Sequence, residues 1–183
     1  MQKKIPIEKL LPFSLTAFVV ALDQITKSYI VSRWPKPGTF IADVFHNDVL
    51  HIYHVRNKLI AFSLGQSLPE NLRPFLFILL PIVVLIFLGV YFFRSSDCTM
   101  LQRWAIAGIL GGGAGTLIDR IFRPDGVVDF ISVKFYGLFG FERWPTFNVS
   151  DSAIVICVGI WFVTMFLPVK TNAAKEANGK NSA

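Results

Sequence analysis

The stretch 74–93, PFLFILLPIVVLIFLGVYFF, runs for twenty residues without a charge, and no other feature limits the fold so severely. A bilayer core takes roughly 20 mostly apolar residues as helix, so this run is long enough to cross one. Pro81 within it predicts a kink. Three further stretches pass the same test. Residues 10–30 are apolar as far as Leu22 and then carry Asp23 and Lys27. Residues 103–122 are rich in small side chains and close on Asp119 and Arg120. Residues 151–169 open on an acid and are apolar thereafter. The composition agrees: 53% hydrophobic residues, 16% charged, and 18 Phe in 183 residues. The expected class is therefore membrane α-helical, with four transmembrane helices.

Basic residues set the expected orientation. Segments 1–9, 94–103 and 170–183 hold 8 Lys and Arg in 33 residues, against 8 in the 71 residues of loops 31–73 and 123–150. Both termini are thus expected in the cytoplasm, with the two long loops outside. The formal charge of +6 is explained by topology, and nucleic acid is not expected as a partner. Lys3 and Lys4 before the apolar run 10–22 resemble a signal peptide. The charged turn after Leu22 favours a retained first helix. Residues 1–169 are expected to form one integral domain, and 170–183 a disordered cytoplasmic tail.

Within the outer loops, VLHIYHV at 49–55 and VVDFISVKF at 127–135 alternate in the strand manner, predicting a small sheet on the outer bilayer surface. Gly65, Pro69 and Pro74 punctuate 64–72, which is expected as a short interfacial helix. Trp34, Trp144 and Phe147 suit an interfacial belt. Histidines 46, 51 and 54 are expected to be ordinary loop residues, and Cys98 and Cys157 lie too far apart in topology for a disulfide. The glycines at 108, 111, 112, 113 and 115 include two GxxxG spacings and predict close helix packing.

Carboxylates inside a membrane protein are functional candidates by default. Asp23, Asp119, Asp129 and Asp151 all map to the outer side. Two carboxyls in a desolvated cleft share a proton, so that one can take a proton from water while the other gives one to a carbonyl oxygen. Such chemistry needs no metal or cofactor. Neither HExxH nor GxSxG occurs, which weakens the metallo- and serine-hydrolase alternatives.

The strings LDQITK (22–27), VRN and AFSLG (55–65), GGGAGTLIDR (111–120), VVDFI (127–131) and FNVSDSAI (147–154), in this order and spacing, resemble the bacterial lipoprotein signal peptidases, or signal peptidase II. The resemblance covers nearly the whole membrane region. It implies four spans, an outer sheet that cradles the substrate, and an aspartate pair that cuts a lipoprotein precursor just before its diacylglyceryl-cysteine. By it, Asp129 and Asp151 are the catalytic pair, and Asp119 is the competing choice. Arg120, as an adjacent charge partner, suits Asp119 to an orienting role.

Supporting or substrate-binding roles are expected for Asp23 and Lys27, four apart on one helix face, for the uncharged donors Asn57 and Asn148, and for Arg120 and Thr116. Expected partners are lipidated prolipoprotein and membrane lipids, with the chain acting as a monomer in the bacterial inner membrane and its site near the outer leaflet. Three positions depart from the family: Leu59 in place of Gly, Thr116 in place of Asn, and Ser150 in place of Ala. They leave open an inactive, lipoprotein-binding relative. A small proton- or ion-coupled transporter is the rival from another class.

Overall fold

The computed structural model describes residues 7–58, 69, 72–95 and 97–166. A short turn of helix, α1 (Ile7–Leu10), precedes α2 (Phe13–Arg33). Pro12 separates them. It lacks an amide hydrogen and holds the helical φ of −58° that suits the residue before a first turn. The first long helix consequently starts three residues later than the apolar run suggests. After β1 (Thr39–Asp43) and β2 (Leu50–Asn57), a π-helical turn at Phe75–Leu79 leads into α3 (Leu80–Arg94). Pro81 accounts for the turn: it cannot donate to Phe77, and the preceding Leu80 amide donates five residues back, to the Phe75 carbonyl.

The chain continues through α4 (Met100–Phe122), β3 (Val127–Val133) and α5 (Val149–Met165). The residues Phe75–Arg94 and Met100–Phe122 are long and apolar enough to cross a membrane, whereas α5 has 17 residues. Large apolar side chains nonetheless face outward on α2, α3 and α5, among them Phe18, Ile25, Ile86, Phe87, Val155 and Phe162. An apolar surface on this scale calls for a neighbour other than water.

Helix α4 is the centre, with α2, α3 and α5 packed against it. Its glycines permit that approach. A Cβ on Gly112 would lie 2.5 Å from the Ser150 carbonyl oxygen of α5, and one on Gly111 would lie 3.0 Å from the Thr16 carbonyl oxygen of α2.

The sheet is antiparallel in the order β1-β2-β3, and it has one strand more than the alternation predicts. The extra strand, TFIAD, is short and carries no clear period of two. Val55 pairs with Asp129 and Asn57 with Val127, beside a bulge between Ile52 and Val55. Ile30 at the end of α2 packs with Val128 and Phe130 of β3, and Trp34, Ile52 and Val149 close around them. This cluster fixes the sheet over one end of the helices. Trp34 is therefore a packing residue, and His54 is fully buried, unlike an ordinary loop histidine. Its Nδ1 lies 2.6 Å from the Trp34 carbonyl oxygen. Cys98 and Cys157 are both free. The stretch 64–72, expected as an interfacial helix, falls outside the described residues except for 69 and 72.

Candidate active site

Strand β3 carries Asp129 under the sheet, and the return of the chain brings Asp151 toward it. The Phe130 and Ile131 amides both donate to the Phe147 carbonyl oxygen, at 3.0 and 2.8 Å, so the entry to α5 is stitched to β3 beside Asp129. Asn148 then caps α5. Its Oδ1 accepts from the Asp151 amide at 3.0 Å, and Asp151 Oδ2 accepts from the Asn148 amide at 3.2 Å. The Nδ2 of the same Asn148 donates to Asp129 Oδ1 at 2.7 Å. Asn57, across the β2–β3 pair, donates to Asp129 Oδ2 at 2.9 Å. Two neutral amides thus hold the Asp129 carboxyl, and one of them also sets the first turn that bears Asp151.

Asp129 and Asp151 line a single cleft of about 1110 Å3. Its walls come from the sheet (Val55, Asn57), the helices (Phe77, Thr116, Ile154) and the chain before α5 (Trp144, Phe147). Burial pushes the Asp129 carboxyl up to about 6. The two amide hydrogen bonds pull against that rise, and the charge of Asp151 adds to it. A carboxyl near 6 exchanges its proton around neutral pH, where general acid–base work is most effective.

Arg120 and Thr116 also line the cleft. Arg120 Nη1 donates to the Asn57 carbonyl oxygen at 3.2 Å, with its guanidinium 5.3 Å from the centre of the Phe77 ring. The Thr116 hydroxyl is buried with no hydrogen-bond partner among the described residues.

Asp23, Lys27 and Asp119 do not line this cleft; they lie fully buried behind it. The charge partners of Asp119 correct the sequence expectation. They are Lys27, at 3.1 Å, and Arg123, at 3.2 Å, rather than Arg120. The reason is helical geometry: residues four apart share a face and adjacent ones do not. Sequence reasoning also passed over Gln24, whose Nε2 donates to Asp119 Oδ1 at 3.1 Å. The signal for Arg123 was available in its spacing from Asp119, whereas none announced Gln24. Among the described residues, no group of three or more His, Cys, Asp or Glu is placed to hold a metal ion.

A helical bundle with apolar outer faces, a three-stranded sheet over one end and an acid-lined cleft between them has the architecture of a membrane enzyme. Two solved structures, each described as a bacterial membrane enzyme and obtained by the in meso method, match it with TM-scores of 0.70. They are 28% and 27% identical, covering 85% and 88% of this chain and 87% and 94% of theirs. The family model for signal peptidase (SPase) II matches residues 15–167. A lipoprotein signal peptidase of Treponema denticola is 44% identical, over 91% of this chain and 95% of its own length. One from Treponema pallidum is 40% identical over 87% and 84%, and one from Borreliella burgdorferi strain ZS7 40% over 84% and 90%. The chain belongs to the signal peptidase II family and is accordingly a peptidase. Neither a transporter nor a catalytically inactive binding relative draws support from these matches.

Proposed function

We propose that this chain removes the signal peptide from diacylglyceryl-modified prolipoproteins, cutting just before the lipidated cysteine, with Asp129 and Asp151 as the catalytic pair. The observation that carries the assignment is the Asp129 carboxyl, raised to about 6, in the same cleft as Asp151 and joined to the Asp151 turn through Asn148. Between them the pair holds one proton. The ionised carboxylate takes a proton from water as its oxygen attacks the scissile carbonyl carbon, and the neutral partner gives its proton to the carbonyl oxygen. The tetrahedral intermediate then collapses, the C–N bond breaks, and the departing nitrogen takes a proton to become the new amino terminus of the cysteine. No cofactor enters.

Asn57, Asn148, Thr116 and Arg120 surround the pair. The first two hold the Asp129 carboxyl, Thr116 forms part of the cleft wall, and the Arg120 guanidinium is placed to meet substrate carbonyls. One integral domain spans residues 1–169, with 170–183 as a tail on the cytoplasmic side. Four helices, α2 through α5, cross the inner membrane, both termini are cytoplasmic, and the cleft opens near the outer leaflet. The substrate enters sideways from the lipid, and binding comes mainly from apolar contact with a monomeric enzyme. The test incubates the purified protein in detergent with a diacylglyceryl-modified precursor and weighs the products. A single cut before the modified cysteine is expected, and an intact precursor, or a cut that ignores the lipid, would contradict the reading.

A further inference from the structure

Behind the cleft, Asp23, Lys27 and Asp119 each have no exposed surface. Lys27 Nζ stands 2.8 Å from Asp23 Oδ2, within α2, and 3.1 Å from Asp119 Oδ2, on α4. Each carboxylate also accepts a backbone amide from elsewhere in the chain. Asp23 Oδ1 receives the amide of Ser150 at 3.0 Å, and Asp119 Oδ2 receives the amide of Val128 at 3.1 Å. Ser150 immediately precedes Asp151, and Val128 immediately precedes Asp129. One ammonium group therefore ties together two carboxylates, each gripping the amide of the residue that precedes one member of the acid pair.

Stability alone is a poor explanation for this arrangement. Burying a lysine and two aspartates carries a desolvation penalty that well-packed apolar side chains of the same volume avoid, so such a trio is weak support for a fold. Local details show how tightly it is set. Gln24 Nε2 donates to Asp23 Oδ2 and Asp119 Oδ1, each at 3.1 Å. Arg123 Nε lies 3.2 Å from Asp119 Oδ1. Gly115 leaves the necessary room, since a Cβ there would run into Ser150 Oγ and come within 2.8 Å of Asp23 Oδ2.

We propose that Lys27, Asp23 and Asp119 are positioning residues that fix the separation of Asp129 and Asp151 by holding the Val128 and Ser150 amides in register across α2, α4, β3 and α5. The inference rests on the peptidase reading above and deepens it. None of the three lines the cleft, so substrate affinity is untouched by them. Their influence is on the geometry of the chemical step, where a displacement of about 1 Å lowers the rate about 100-fold.

The test fits kcat and KM separately for cleavage of a diacylglyceryl-modified precursor by the purified full-length protein, alongside the melting temperature of each variant. Asp23→Ala and Asp119→Ala are expected to lower kcat about 100-fold, with KM within about twofold of wild type. Asp23→Asn and Asp119→Asn keep an acceptor oxygen for the amide and are expected to restore at least about tenfold of the lost kcat. Where an alanine variant fails to fold, Gly115→Ala decides, because it keeps every charge and pushes on Ser150 and Asp23; a fall in kcat at unchanged KM supports the proposal. Folded variants with wild-type kcat, a change confined to KM, or asparagine variants no better than alanine would overturn it. The peptidase reading fails separately, if wild-type protein leaves the precursor intact or Asp129→Asn cleaves at the wild-type rate.

Discussion

The cleft and the buried layer behind it use the same side chain for opposite ends. Asp23 and Asp119 sit against Lys27, with Arg123 as a second cation for Asp119, at 2.8 to 3.2 Å. Asp129 takes its hydrogen bonds from two uncharged amides, Asn57 and Asn148. Neutral donors leave the Asp129 carboxyl able to change protonation state under burial. Among the described residues, no ammonium or guanidinium stands at contact distance from Asp129 or Asp151, the pair proposed to move protons. The difference lies in the neighbours, because all four are aspartates.

Loss of either cleft acid should have the largest effect. Asp151→Asn is expected to lower kcat/KM for precursor cleavage by up to about 10⁴-fold, the most that a group acting in proton transfer typically contributes. Its fold should survive, as Asn can still accept the Asn148 amide that closes the capping box. A folded Asp151→Asn protein that cleaves at the wild-type rate would remove the distinction between the two layers.

Asn148→Ala comes next, because that residue serves both acids. Removing the Nδ2 donor to Asp129 should lower kcat by about 100-fold, and removing the cap should destabilise the protein by about 1 kcal/mol. The same deletion takes away an interaction that favours the ionised carboxyl, so the limb of the kcat/KM profile nearest pH 6 should move to higher pH. A limb that stays in place would mean that Asp129 is not the group titrating there.

Stability carries a further effect, read through its pH dependence. Asp129 has a folded pKa of about 6 against an ordinary 3.8. As pH rises through that window the unfolded chain releases its proton first, and the wild-type fold is weakened. Asn at 129 does not titrate. The stability difference between Asp129→Asn and wild type should therefore shift by up to about 3 kcal/mol in the variant's favour between pH 4 and pH 7. Parallel pH dependences for the two proteins would show that Asp129 is not buried as described.

The least effect belongs to the outer surface. Asp48 is the hub of an exposed cluster, 2.6 Å from Lys134 Nζ, 2.9 Å from His51 Nε2 and 3.0 Å from Arg143 Nη1. The Lys134 hydrogen bond holds the Asp48 carboxyl below its usual range. Asn tolerates the positive φ of 62° at this position, so Asp48→Asn should leave cleavage unchanged. Any loss of melting temperature should be slight at pH 7 and disappear as pH falls through the Asp48 titration, because an acid with a lowered folded pKa supports the fold only above it.

Much of this organisation is legible in the sequence, for identifiable reasons. The charge-free run at 74–93 could hardly be anything but a long apolar helix, and the alternation in VLHIYHV and VVDFI marks β2 and β3 because period two survives in both. Strand β1 escapes detection because TFIAD is too short to display a period. The start of α2 shifts to Phe13 because Pro12 acts on the backbone and hydropathy does not register it. Acids set in apolar stretches stand out individually. Their division into a set held by cations and a set held by neutral amides does not, because it depends on contacts between residues 27 and 119, 57 and 129, and 129 and 148, which only the fold brings together.

The most direct measurement compares Asp129→Asn and Asp119→Asn side by side, as purified folded proteins cleaving the same lipid-modified precursor. The expected result is no detectable product from Asp129→Asn, and cleavage within about tenfold of wild type from Asp119→Asn. A larger loss at 119 than at 129 would contradict it, placing the proton-handling acid in the layer that Lys27 holds.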